Sequence, residues 1–316
     1  MNINDELRMR FIEDYGLPIS VFYDPWFTEM INIMENYYGS KTKFENLVNE
    51  IGPNKTPGQF ISQCREIRHE ISDWIEHNQA YLEFHGDKDI EKHYKVTSQY
   101  PKRNIYSGNN VGKRFISLDL REANFQSLRF HDPAIVRDCI TWDEFVGKWT
   151  DSNYLKKTKL NRQRLLGKVS PEKQMIIETY IMSGLHEMFM MKQTSLDLIS
   201  LKTDELIYEV RSSETNLEKA LSDAYWIASH DLGVRVKAET FILRDIQLFT
   251  RHGNSIYGFY KEYDDDRISF HGIPKIYLPQ FIKYHEGKTV NELDLAFLTP
   301  QDNELARFMY PLKDRV

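Results

Sequence analysis

Two acidic features of this sequence have the type and placement for joint chemistry. Asp119 ends the apolar run Phe115-Ile116-Ser117-Leu118, and Asp204-Glu205 sit between two alternating apolar runs, LDLISL and LIYEV. If both elements pair in one sheet, their carboxylates converge at one edge. Carboxylates within about 4 Å of a pair of Mg²⁺ ions are what phosphoryl transfer uses, because two metals activate an attacking hydroxyl and stabilise a leaving pyrophosphate. Mn²⁺ would serve as well, since hard divalent cations take oxygen ligands, and the backbone carbonyl of Leu120 is a further candidate. Between the two acidic features lies KKTKLNRQRLLGK, whose Lys157, Lys159, Arg162, Arg164 and Lys168 have no acid among them. Such a stretch suits phosphate neutralisation. Arg121 is close enough in sequence to Asp119 to touch a substrate, although Glu122 beside it is a ready partner.

Each feature also has an ordinary structural use. An Asp between a strand and a helix commonly caps the helix. Asp and Lys favour exposed turns. Lys and Arg on a surface helix solvate it and pair with nearby acids. Taken together, with the basic stretch between them, Asp119 and Asp204 are better read as a metal pair with Glu205 assisting. A rival acidic stretch, Tyr263-Asp264-Asp265-Asp266, also lies between strand-like runs and reads as a solvated loop, with Asp265 and Asp266 in reserve. Other chemistries find no pattern. His186-Glu187 has no second His at zincin spacing, the Gly-Lys of GNNVGKRF has no Walker spacing, and there is no Gly-x-Ser-x-Gly.

The elements that must position these residues follow from periodicity. Residues 1–100 read as helical, with DPWFTEMINIMENYYG and a longer stretch after Thr56-Pro57 whose Phe60, Ile61, Ile67, Ile71, Trp74 and Ile75 form one core-facing stripe. Residues 101–245 hold a basic loop, the Asp119 strand, the helix EANFQSLRF, short helices at DPAIVRDC and TWDEFVGKW, and NYLKKTKLNRQRLLGKV as one basic helix. A long apolar helix begun by Ser170-Pro171 comes next, then the hairpin around KTDE, a helix stopped by Gly233, and a strand. Residues 246–316 read as further strands, a helix around IYLPQFIKYHEG, a strand at NELDLAFL and a last helix after Thr299-Pro300. This order predicts an α+β fold, an antiparallel sheet with helices on one face behind a helical N-terminal region.

Composition narrows the class. The chain has 316 residues, 41% hydrophobic and 28% charged, so it can bury a sizeable core. The net charge of −6 excludes a chain basic throughout but not a local basic groove. Cys64 and Cys139 are far apart and in no metal-ligand spacing, which predicts a reducing, cytoplasmic setting. No signal peptide is read in MNINDELRMRFIEDYG, and no run approaches the roughly 18 apolar residues of a membrane span.

The acidic motifs also carry a resemblance. LDLREANFQSL resembles motif A of template-directed polymerase palms, where reverse transcriptases place a strand ending in Leu-Asp-Leu, then a basic residue, an acid, Ala, two aromatics and Gln. TDELIYEV is similar to motif C of family A DNA polymerases, whose His-Asp-Glu occupies the same hairpin, with Thr203 here at the His position. ETNLEKALSDAYWIASHDLGVRVKAETF then follows that family's order of helix and strand, and Lys157 with Asn161 is similar to a Lys-x3-Asn start in family B. The basic helix departs from both families in having no Tyr before Gly167, and no Pro-Gln-Gly of the reverse-transcriptase type occurs.

The resemblance spans about residues 100–245. It implies a small or accessory DNA polymerase, of viral or mobile-element type, that adds nucleotides to a 3′-hydroxyl and takes primer, template and nucleoside triphosphates. The N-terminal helical region could engage a protein partner. Two alternatives stay open: a catalytically silent palm that binds nucleic acid or protein, and a two-metal nuclease.

Overall fold

The structure, a computed structural model, describes residues 4–212, 214–249, 255–288, 296–298 and 305–307. By internal contacts the chain forms two compact units. One comprises Met1–Ser62, Thr158–Leu160 and Leu243–Val316, and the other Gln63–Lys157 and Asn161–Ile242.

The N-terminal elements are helical. They are α1 (Asp5–Tyr15), α2 (Trp26–Ile33), α3 (Glu35–Tyr38), α4 (Ser40–Ile51), α5 (Pro57–Glu76), α6 (Gln79–Gly86) and α7 (Ile90–His93). Asn4 begins α1 by accepting from the Leu7 amide at 3.1 Å, and Asn78 begins α6 in the same way toward Tyr81. The long helical stretch after Thr56-Pro57 thus divides at Asn78, because an Asn with a free amide two or three residues on competes with helix continuation. Of the expected stripe on α5, Phe60, Ile71 and Ile75 are buried, while Ile61, Ile67 and Trp74 are partly covered.

The second unit holds the acidic motifs. Strand β1 (Arg114–Leu120) leads to α8 (Ala123–His131), α9 (Trp142–Val146), α10 (Asn153–Lys157), α11 (Lys159–Leu166) and α12 (Pro171–Lys192). The hairpin β2 (Leu196–Leu201) and β3 (Glu205–Val210) follows, then α13 (Leu217–Trp226) and β4 (Val236–Phe249). Strand β1 pairs antiparallel with β3 on one side and β4 on the other, and β2 pairs with β3. The order β2-β3-β1-β4 with the sequence β-α-β-β-α-β is a split βαβ arrangement. It places the first strand beside the second strand of a hairpin some 85 residues later. The expected α+β class holds.

Burial explains why β1 sits centrally. Phe115, Ile116, Ser117, Leu118 and Leu120 are all buried, a continuous run suited to a strand covered on both faces. The helix α12 packs on one face, where His186 Nδ1 meets the Tyr208 hydroxyl at 2.9 Å and Phe189 packs on the Tyr208 ring. Tyr208 stands opposite Ile116 in the register, so Ile116, Leu118 and Leu120 share that face. Phe115, stacked on Phe241, and Asp119 belong to the other.

One helical expectation is corrected here. The basic stretch is two short helices, α10 and α11, separated at Thr158, whose side chain is fully buried. A β-branched residue drawn into the interior stops the solvated helix that charge pattern alone predicts. The helix α12 does begin at Pro171, a position where the missing amide costs nothing. Gly233, at φ +64°, closes the segment after α13 as expected.

In the first unit, Phe11, Phe27 and Phe44 form an aromatic core with centroid separations from 4.9 to 6.3 Å. Strands β5 (Ser255–Tyr263) and β6 (Ile268–His271) pair antiparallel and continue the strand order past β4. The helix α14 (Leu278–His285) buries Phe281 against Ile246. A short ladder joins β7 (Ala296–Leu298) to β8 (Leu305–Arg307). Those last three residues correct the helix expected after Thr299-Pro300, since a paired strand stands there. The rest of that expected helix, and residues 291–295 of the NELDLAFL strand, lie outside the described residues.

Candidate functional site

Asp119 is not a helix cap. It lies inside β1, and the N-cap position of α8 is Glu122, in the left-handed region at φ 55°, ψ 45° with no side-chain cap bond. The Glu122 carboxylate is used elsewhere. It accepts from the Trp142 amide at 3.3 Å and lies 3.7 Å from Arg235 Nη1.

The sheet register brings the two acidic motifs to one corner. Asp119 is the Cα partner of Glu205, and the Leu120 amide donates to the Asp204 carbonyl at 2.8 Å. Residues directly opposite in an antiparallel pair present side chains to the same face with Cβ atoms about 5 Å apart. Asp119 and Glu205 therefore share a face, with Asp204 one residue away at the turn. The turn itself is closed by the Lys202 amide bonding the Glu205 carbonyl at 2.9 Å. Asp119, Asp204 and Glu205 are all half-buried. On the other flank, Asp119 stands opposite Lys237, whose ammonium pairs with Glu239 at 2.7 Å. The Arg121 amide donates to the Arg235 carbonyl at 2.9 Å, which fixes the strand exit, and its side chain is exposed.

Of the basic residues, Arg162 is near enough to Asp119 to feel its charge. It is half-buried on α11, and burial pulls its pKa below the ordinary guanidinium value while the charges of Glu122, Asp143 and Asp119 oppose that shift. Lys157 is exposed and pairs with Asp143. Lys159, Arg164 and Lys168 are exposed along the same stretch. Asn161 is buried and accepts from Arg68 Nη1 at 2.6 Å, a structural use.

One acid escaped the sequence reading. Glu178 on α12 is 5% exposed. Burial first, and the nearby Asp204 carboxylate second, push its pKa from 4.5 up to about 7. Its signal was present: Gln174, Ile177, Ile181, Leu185 and Phe189 mark the buried stripe of α12, and Glu178 falls on it. A carboxylate on an apolar stripe is costly to bury and asks for a reason.

The reserve acids have local uses. Asp265 and Asp266 cap the β5–β6 turn in the other unit, where Arg267 Nε bonds Asp265 at 2.7 Å and the Tyr263 amide bonds the Arg267 carbonyl at 2.9 Å. The hydrogen bond from Arg267 holds the Asp265 carboxyl below its usual range. Both cysteines are free and buried.

Chemically, the corner offers oxygen donors only, which fits a hard divalent cation. Among the described residues no group of three or more His, Cys, Asp or Glu is drawn together as for a metal. A cation here would rest on carboxylates in pairs, backbone carbonyls, water and substrate, which is the usual way Mg²⁺ is held. No described helix is long and apolar enough to cross a membrane. Comparison of the chain with protein-family models, curated proteins and solved structures finds no match.

Proposed function

We propose that this chain catalyses metal-dependent nucleotidyl transfer, adding nucleotides to the 3′-hydroxyl of a nucleic acid primer. The observation that carries the reading is the register of β1 on β3, with Asp119 opposite Glu205 and Leu120 bonded to Asp204. Motifs 85 residues apart in sequence meet at one end of one strand pair. Asp119 and Asp204, with the Leu120 carbonyl, would hold Mg²⁺ or Mn²⁺, and Glu205 would assist. A bound pair of such ions supplies activation of the attacking hydroxyl and stabilisation of the leaving pyrophosphate.

The remaining roles belong to side chains of this chain. Arg162, partly desolvated and within reach of the Asp119 charge, would bind the triphosphate, because a guanidinium in a drier setting interacts more strongly with phosphate. Lys157, Lys159, Arg164 and Lys168, exposed along α10, α11 and the turn after them, would follow the primer or template backbone. Arg121, exposed just past β1, would contact the substrate near the carboxylates. The test is extension of a labelled primer, with and without template, in triphosphates and Mg²⁺ or Mn²⁺, beside an Asp204→Ala variant. Extension lost in the variant supports the proposal. Primer shortening instead makes the chain a nuclease, and binding without either product leaves a silent nucleic-acid-binding fold.

A further inference from the structure

A cleft of about 560 Å³ lies between the end of α7, with the residues that follow it, and the first turns of α12. All of it belongs to the second unit, and it shares no residue with the carboxylate corner of β1 and β3. Its walls are apolar, formed by Tyr94, Val96, Met175 and Ile176. Tyr94 is held in place, its hydroxyl 3.1 Å from His131 Nδ1 and its ring edge-on to Tyr180 at 5.3 Å between centroids. Met175 is 54% exposed, a large apolar side chain left open to solvent. The polar groups are mostly acceptors. Glu91 and Glu172 supply carboxylates, and the Thr179 hydroxyl spends its proton on the Met175 carbonyl at 2.7 Å, which leaves its oxygen as an acceptor. The lysines beside these acids in sequence are engaged elsewhere. Lys92 pairs with Asp89, and Lys173 donates to the carbonyls of Phe84, His85 and Asp87. Lys95 also lines the cleft, and among the described residues no ion pair joins it to either carboxylate.

We infer that this cleft binds a small amphipathic amine, its ammonium taken by Glu91 and Glu172 and its apolar body laid on Tyr94, Met175 and Ile176. The volume falls in the range of roughly 300–1,000 Å³ usual for small-molecule sites, where apolar walls supply most of the contact and a few polar groups set orientation. A protonated amine is the complement of this lining. It carries donors and no acceptor, and two carboxylates against one ammonium leave the cleft net negative. The Tyr94 ring adds attraction for a cation that lies over its face. No part of this depends on the nucleotidyl-transfer reading.

Equilibrium dialysis of the full chain at neutral pH and low salt tests the site with three probes of one shape: naphthylmethylamine, naphthylmethanol and naphthoate. The amine should bind at least tenfold more tightly than the alcohol or the carboxylate. Its affinity should fall at least tenfold in the double variant Glu91→Gln, Glu172→Gln, and at least tenfold in Met175→Lys, which sets a cation in the cleft. All three residues are exposed, so circular dichroism of both variants should match the wild type. No amine binding by the wild type, or retained affinity in either variant, overturns the proposal. Equal binding of the three probes overturns it in favour of a merely apolar cleft, and tighter binding of naphthoate overturns it in favour of an anion site at Lys95.

Discussion

Replacing Glu178 with Gln should stabilise the metal-free chain at alkaline pH and leave it nearly unchanged at acid pH. Folding raises the Glu178 pKa from 4.5 to about 7, so the folded state holds this proton more tightly than the unfolded chain. For a carboxyl shifted upward, the favourable contribution is complete below the unfolded value. It drains away as pH climbs toward the folded value, because the folded state must then carry a buried charge. Gln keeps the shape and cannot ionise. With one pKa unit worth about 1.4 kcal/mol, the variant's advantage should grow from under about 1 kcal/mol near pH 5 to about 3 kcal/mol near pH 8. The assay is urea unfolding by circular dichroism in EDTA, at several pH values, with identical buffers for both proteins. A pH-independent difference, or a loss of stability in the variant at pH 8, would refute the burial argument.

Other expectations concern the frame and the chemistry. Tyr208→Phe removes the hydroxyl that meets His186 Nδ1 at 2.9 Å and should cost about 1–2 kcal/mol in the same unfolding assay, because His186 loses its partner. Thr141→Ala removes the Oγ1 that accepts from the Glu144 amide at 3.1 Å, and a loss of about 1 kcal/mol is expected. Arg137→Lys should destabilise by about 1 kcal/mol, since the guanidinium lies 4.7 Å from the Trp74 ring centre and 4.4 Å from that of Trp149. In primer extension, Asp119→Asn should abolish product while Asp265→Asn leaves it unchanged. Equal loss in both would move the proposed centre to the β5–β6 turn.

What could be read from the residues alone is tied to local rules. The unbroken apolar run of β1, the alternation of LDLISL and LIYEV, the Pro171 start of α12 and the Gly233 stop each act within a few residues, so pattern reveals them. The same holds for the tight Asp265–Arg267 turn, legible as a solvated loop. Errors arose where a local preference met the interior. Thr158 sits in a strongly basic stretch that looks like one helix, but its full burial divides that stretch into two. At the far end, helix propensity after Thr299-Pro300 yields to the pairing of Leu305–Arg307 with Ala296–Leu298, a partnership that periodicity does not encode.

The sequence by itself determined that acids would stand at a strand end and in a hairpin turn, and that basic residues would lie between them. Only the tertiary structure decided that Asp119 is a strand residue rather than a cap, because the cap position falls three residues later, at Glu122. It also decided that Glu205 stands across the ladder from Asp119, and that Arg162 and Glu178, far along the chain, feel the charges of Asp119 and Asp204. The physical reason is that a strand's partner is chosen by non-local burial of two apolar faces, and no spacing rule in one dimension reports it.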